Sequence, residues 1–209
     1  MKNFVITISR GYGSGGKIIG ESLAKQLGVK CYNRELLYMA SEESGINEEI
    51  FAKNDEKVPS YNFLRPLPKK KPVVGDVIPP DSKYFVSEEN LFRYSALIIR
   101  KLAERESFVV IGRAADYVLE GHPNLVSVHI HAPHDACVKT VMDMFSVSEK
   151  EAKTRIRTKD RERSEYYKYY TGSKWDSPDN YDLILNSEKI GWDNCVKLIS
   201  DYTKMKIGD

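Results

Sequence analysis

The stretch SRGYGSGGKIIG, residues 9–20, decides how the rest of the chain is read. It holds a Gly-x-x-x-x-Gly-Lys run from Gly11 to Lys17. FVITIS (4–9), which leads into it, is a short β-branched apolar run that suits a buried strand of a parallel sheet. Behind it, Ile19, Leu23, Ala24 and Leu27 recur at helical spacing and Gly28 supplies a left-handed stop, so a helix is expected over 16–27. A glycine-rich turn between strand and helix aims several backbone N–H groups at one place. The helix dipole adds partial positive charge there, so an anion can be held without any side chain. Gly11, Gly13, Ser14, Gly15, Gly16 and Lys17 are therefore the expected phosphate-binding residues, with the Lys17 charge directed at the β- and γ-phosphates of ATP.

Ile18 stands where a Ser or Thr would hold a magnesium ion. One charge-assisted contact is worth about 1.5–3 kcal/mol. Magnesium keeps several waters and leans on substrate phosphates, so it is still expected to accompany ATP. Ser14 or Ser9 would by position replace the missing hydroxyl.

Further along, VKCY begins a second extended piece, and residues 33–57 read as helical and polar. Residues 58–86 hold six of the nine prolines and the Lys69, Lys70, Lys71 run, which reads as an extended arm or flap able to dock on a second copy of the chain. Ser87 opens a helix whose Leu91, Phe92, Ser95, Ile98, Ile99 and Leu102 share one face. SFVVIG (107–112), LVSVHIHA (125–132) and YDLILN (181–186) read as strands. Between the last two lie one helix, then a small helix and a long basic one ending in SEYYKYYTG, whose tyrosines read as core packing. Strands alternating with helices predict a three-layer α/β fold with a mainly parallel sheet. The expected organisation is a single domain over 1–209, with an acceptor-binding insertion at 33–86 and a helical lid at 153–176.

Composition narrows the function classes. The chain has 209 residues with 41% hydrophobic and 30% charged content, ordinary for a globular domain. Its net charge of +2 argues against a general nucleic-acid binder. Cys31, Cys137 and Cys195 are widely spaced and form no Cys-x-x-Cys pair, which fits free thiols in a reducing cytoplasm. No signal-peptide pattern and no apolar run of roughly 18–20 residues is seen, so neither export nor a membrane span is expected.

Basic charge is instead local. Between Lys153 and Lys174 eight basic residues face three acidic ones, including Arg157, Arg161 and Arg163. Arg113 follows a strand at the sheet edge where α/β folds bind ligands, and Arg93 lies on the preceding helix. Phosphoryl transfer needs positioning and charge neutralisation, and the planar guanidinium fork supplies both. Asp116 and Asp160 are the nearest carboxylates. Asp160 is expected to orient a base or arginine, and Asp116 to bind magnesium directly or through water. His129, His131 and His134 read as strand-end histidines near solvent rather than as a metal site.

ITISRGYGSGGKIIGESLAKQLGVKCYNRELL, VVIGRAADYVL, VHIHAP and DRERSEYYKYYTGSKWDSPDNYDLILN together resemble the cytidylate kinase-like family, within the nucleoside monophosphate kinases. The resemblance implies a P-loop kinase fold with a nucleotide-binding insertion and a lid, Mg-ATP as phosphoryl donor, and a small phosphorylated acceptor that is CMP- or dCMP-like. It implies acceptor contacts at Arg93 and Arg113, lid roles for Arg157, Asp160, Arg161 and Arg163, and a phosphate role for Lys17. The sequence departs from cytidylate kinases at Ile18, Ile111 and Ala114, where hydroxyl or carboxylate groups are replaced, and YNRELL stands where the base-recognition segment would be. Two alternatives follow from these departures: a nucleotide-binding regulatory module without turnover, and a kinase for a non-nucleotide small molecule.

Overall fold

Strand β1 (Val5–Arg10) runs through the middle of a five-stranded sheet. In the computed structural model, which describes residues 3–57 and 77–208, the glycine-rich loop leads from β1 into α1 (Gly16–Leu27), over the residues expected from sequence. Then come β2 (Lys30–Tyr32), α2 (Glu35–Ser44), α3 (Glu48–Lys53), α4 (Glu88–Arg105), β3 (Phe108–Ile111) and α5 (Ala115–Val118). The chain continues through β4 (Leu125–His131), α6 (His134–Phe145), α7 (Glu149–Thr171), β5 (Leu183–Asn186), α8 (Ser187–Ile190) and α9 (Trp192–Ile207). Most of the proline-rich stretch, with Lys69 to Lys71 and the oligomer contact expected of it, lies outside the described residues.

The strand order is β2-β3-β1-β4-β5 and every pairing is parallel. Successive side chains of a strand face opposite ways, so β1 needs apolar cover on both sides. Ile6 and Ile8 pack under α1 and α9 with Ile19, Leu23, Cys195 and Ile199. Val5 faces the other layer, where α2, α4, α5 and the end of α7 bury Leu36, Ile99, Ala115 and Tyr170. The result is the expected three-layer α/β fold.

Helix α7 differs from expectation in one respect. No small helix precedes it: Ser148 caps it by accepting from the Glu151 N–H, and it runs unbroken for 23 residues to the left-handed Gly172. Its first half packs Ala152 and Ile156 against Cys137 and Val141 of α6. Its second half sinks Tyr166, Tyr167 and Tyr170 into the main core, with the Tyr170 ring stacked on Phe92 at 4.0 Å. The tyrosine stripe thus anchors the helix that carries Asp160 and Arg163 over the sheet edge.

A second local feature shapes that edge. After β3, Gly112, Arg113 and Ala114 all have left-handed backbones, with φ of 76°, 58° and 51°. For the two non-glycine residues this costs on the order of 1–2 kcal/mol each. The turn leaves the Arg113 side chain 3% exposed inside the protein.

Candidate active site

Over the sheet edge lies a cavity of about 550 Å³, floored by the loop after β1 and bounded by Asn33, Glu56, Phe145 and Arg163. The loop is tightly set. Gly15 has φ 77°, and a Cβ on it would fall 2.4 Å from the Trp192 ring, so a larger residue is excluded by both backbone and space. No side chain caps α1, and Gly15, Gly16, Lys17 and Ile18 line the cavity, so the orphan N–H groups of the helix start are available to an anion. Lys17 is 62% exposed and lies 3.5 Å from Glu21, free to swing towards a bound phosphate.

The hydroxyls expected to stand in for the one missing at Ile18 are both committed elsewhere. Ser14 is buried, its Oγ 2.9 Å from the Gly11 carbonyl and 3.1 Å from that of Ile130. Ser9 Oγ lies 3.0 Å from His129 Nδ1 and 3.1 Å from the Tyr181 hydroxyl. Both serines are buried and neither lines the cavity, which is what keeps their hydroxyls from an ion held there.

Three arginines meet beside the loop. The Arg10 guanidinium grips Glu56 through two bonds, at 2.7 and 3.1 Å. Arg163 Nε reaches the same carboxylate at 3.4 Å, and its Nη1 donates to the Arg10 carbonyl at 3.1 Å. The Arg113 backbone N–H donates to Glu56 at 3.0 Å, while its guanidinium pairs with Asp55 at 3.0 Å. Burial alone would raise the Glu56 carboxyl, but Arg10, Arg163 and Arg113 outweigh it and hold it well below the usual carboxylate range. Burial, with Arg10 close by, lowers Arg163 to about 10. Asp160 accepts the Tyr12 N–H at 2.7 Å, tying α7 to the glycine-rich loop. Sequence reasoning missed Arg10, Asp55 and Glu56. Arg10 sits inside the opening motif, but a strand-end arginine has no signature of its own, and the two acids lie 45 or more positions away in sequence.

The other expected residues are placed differently. Arg157 and Arg161 are exposed and do not line the cavity. Helical phase is the reason: Ile156, Asp160, Arg163 and Tyr167 share the inward face of α7 at spacings of three and four, which turns positions 157 and 161 outwards. Arg93 pairs with Glu89 at 3.3 Å on α4, outside the lining of the cavity. Asp116 does not reach the loop either. It faces a separate polar cavity of about 330 Å³ with Glu120, Asp182 and Lys206. Its carboxylate accepts from the Tyr167 hydroxyl at 2.5 Å, and burial pushes its pKa up to about 6. Among the described residues no group of three or more His, Cys, Asp or Glu side chains forms a metal site.

His129 is buried rather than near solvent, against the edge of Trp175 at 5.3 Å. Burial, and the neighbouring His131, lower its pKa to about 4. Its Nδ1 meets Ser9, which accepts from the Tyr181 hydroxyl, while Asp116 and Tyr167 form a separate pair nearby in the sheet-edge core. His129 and Asp116 titrate with opposite consequences. Between pH 4 and 6 folded Asp116 binds more protons than an unfolded aspartate of 3.8, so its contribution to stability falls as pH rises. From 4 to 6.5 the unfolded histidine binds more protons than folded His129, so stability rises with pH. Each change totals about 3 kcal/mol over its pH range, and they largely cancel. Asp116→Asn is therefore expected to expose the histidine slope, steepening the loss of stability on acidification below pH 6.5. Urea unfolding from pH 4 to 7 checks this, and parallel wild-type and variant curves would contradict it.

A parallel sheet in this strand order, with a glycine-rich loop between the first strand and helix and an arginine-bearing helix over the cavity, defines a P-loop kinase fold. Within that class the chain belongs to the cytidylate kinase-like family, whose sequence profile matches residues 5–189. No curated protein matches it in sequence. Among solved structures it resembles an uncharacterized protein from Eubacterium ventriosum, at 25% identity and a TM-score of 0.70, over 97% of this chain and 99% of that one. A shikimate kinase from Bacteroides thetaiotaomicron shares the fold at 12% identity and a TM-score of 0.52, over 96% and 98% of the two chains. No helix among the described residues is long and apolar enough to cross a membrane.

Proposed function

We propose that this chain transfers the γ-phosphoryl group of ATP to a small phosphorylated acceptor, with a CMP- or dCMP-like nucleoside monophosphate as the leading acceptor. The observation that carries this reading is that Arg10 and Arg163 line the cavity into which the loop's N–H groups open, with the Arg113 backbone N–H turned to the Glu56 carboxylate that both arginines hold. Membership of a kinase-like family supports it. In this reading the N–H groups of Gly13, Gly15, Gly16 and Lys17 hold the donor phosphates, and Lys17 neutralises the β- and γ-oxygens. Arg163, fixed by the Arg10 carbonyl, lies over the charge that develops during transfer, and Arg113, buried against Asp55 outside the cavity's lining, would reach the acceptor only by leaving Asp55. Asp160 keeps α7 in register with the loop, and the tyrosine-anchored helix excludes water. The division into an insertion at 33–86 and a lid at 153–176 belongs to the same proposal, as does a cytoplasmic location. Arg93, Arg157 and Arg161 would touch substrate only if α4 and α7 moved towards the cavity.

Such chemistry implies magnesium, and few oxygen donors near the loop are open to it. Ile18 offers no side-chain oxygen, Ser9 and Ser14 are buried outside the cavity's lining, and Asp55 and Glu56 are paired with arginines. These residues do not fit a protein-built magnesium site, so the ion enters this reading only as the companion of the ATP phosphates. The same observation favours a second reading, a nucleotide-binding module without turnover. Incubation with Mg-ATP and a panel of nucleoside monophosphates and other phosphorylated small molecules separates the two. The proposal expects a phosphorylated product, reduced about a hundredfold by Lys17→Ala, the scale of one charge-assisted contact. Thermal stabilisation by ATP with no product from any acceptor would favour the module instead.

A further inference from the structure

Glu56 is an acid in a place built for an anion. One of its oxygens lies 2.7 Å from Arg10 Nη1 and 3.0 Å from the Arg113 N–H. The other lies 3.1 Å from Arg10 Nη2 and 3.4 Å from Arg163 Nε. A guanidinium fork, a second guanidinium and a backbone N–H are the donors that satisfy a phosphate group equally well. Space for them is kept by Gly112, where a Cβ would fall 1.9 Å from Glu56 Oε1 and 2.2 Å from Arg10 Nη1. Both Glu56 and Arg10 also line the cavity that the glycine-rich loop opens into.

We propose that Arg10, Arg163 and the Arg113 N–H form an oxyanion subsite whose resident occupant is the Glu56 carboxylate, and that an incoming phosphate group binds by displacing Glu56. The proposal rests on the phosphoryl-transfer reading only in taking that phosphate to be the acceptor's. Two physical points favour exchange over a fixed structural pair. Glu56 holds a left-handed backbone, φ 53°, which a residue with a side chain adopts at a cost and is released from on leaving. Charge makes occupancy exclusive as well. Asp55 already neutralises the Arg113 guanidinium at 3.0 Å, so a phosphate added beside Glu56 would face like charge at close range. The resting chain is thus closed to anions at this point. Apparent affinity for the entering phosphate is reduced by the fraction of molecules in which Glu56 is withdrawn.

Inorganic phosphate is the probe, titrated calorimetrically into the full chain carrying Lys17→Ala, which weakens binding at the loop itself. Adding Glu56→Gln is expected to tighten phosphate binding about tenfold or more, and adding Arg10→Met instead to abolish it. A measurement on the unaltered chain guards against misfolding of the glutamine variant: at saturating phosphate, amide hydrogens of residues 54–57 should exchange faster than without it. Equal or weaker phosphate binding by the glutamine variant, or unchanged or slower exchange at 54–57, would overturn the subsite. Failure of every acceptor to be phosphorylated, with the tenfold gain intact, would overturn the transfer reading and leave the subsite standing.

Discussion

Replacing Arg163 with Met is expected to lower acceptor phosphorylation by about a thousandfold, the scale on which one arginine neutralises a transferring phosphoryl group. Its position supports so large an effect. Arg163 sits on the inward face of α7 with its side chain 13% exposed, bonded to the Arg10 carbonyl at 3.1 Å and to Glu56 at 3.4 Å. A guanidinium fixed there by the Arg10 carbonyl is already placed when negative charge develops on the phosphoryl oxygens. Arg163→Lys should recover little, because one ammonium cannot span both partners as the planar fork does. Stability should change far less than activity, because Glu56 retains Arg10 and the Arg113 N–H; a loss of about 1–3 kcal/mol is expected. Steady-state kinetics beside urea unfolding separates the two effects. A variant of near wild-type turnover would remove Arg163 from the chemistry.

Tyr170→Ala should cost about 3–5 kcal/mol of stability, the range for deleting a fully buried large aromatic. Tyr170 is 1% exposed, stacks on Phe92 at 4.0 Å, and meets Tyr166 at 4.8 Å and Tyr169 at 4.9 Å between ring centres. Its hydroxyl donates to the Glu88 carbonyl at 3.1 Å, at the start of α4. Removing the ring empties the joint between α4 and α7, so the helix bearing Asp160 and Arg163 loses its anchor along with the core. Tyr170→Phe keeps the stack and gives up only the hydroxyl, for about 1 kcal/mol. The two denaturation midpoints should therefore differ widely, and an alanine variant as stable as the phenylalanine one would contradict this account of how α7 is held.

Much of the fold was legible because its signals are local. The β-branched run before Gly11, the 3.6-residue spacing after Gly16 and the left-handed stop at Gly28 each depend on neighbouring residues alone, and the strand, helix and cap fall where those signals place them. Ser87 likewise caps α4 as its sequence position predicts. Less was legible in α7, where a Ser148 cap starts one continuous helix in place of a small helix followed by a long one. Whether two helical stretches join is decided by the packing of Ala152 and Ile156 on α6, not by their own propensities.

The chain's sequence by itself determined the glycine-rich loop between strand and helix, the parallel α/β class and the supply of arginines, since loop chemistry and periodicity are written in adjacent residues. Tertiary structure alone decided which charges meet. Arg113, Arg157, Arg161 and Arg163 are alike as letters, yet helical phase turns 157 and 161 outwards, while the left-handed turn after β3 aims the Arg113 N–H at Glu56. Arg10 and Glu56 are 46 positions apart and become a bidentate pair only when α3 folds back to the end of β1. An ion pair of that kind depends on distances set by the whole packed sheet, and no window of sequence contains them.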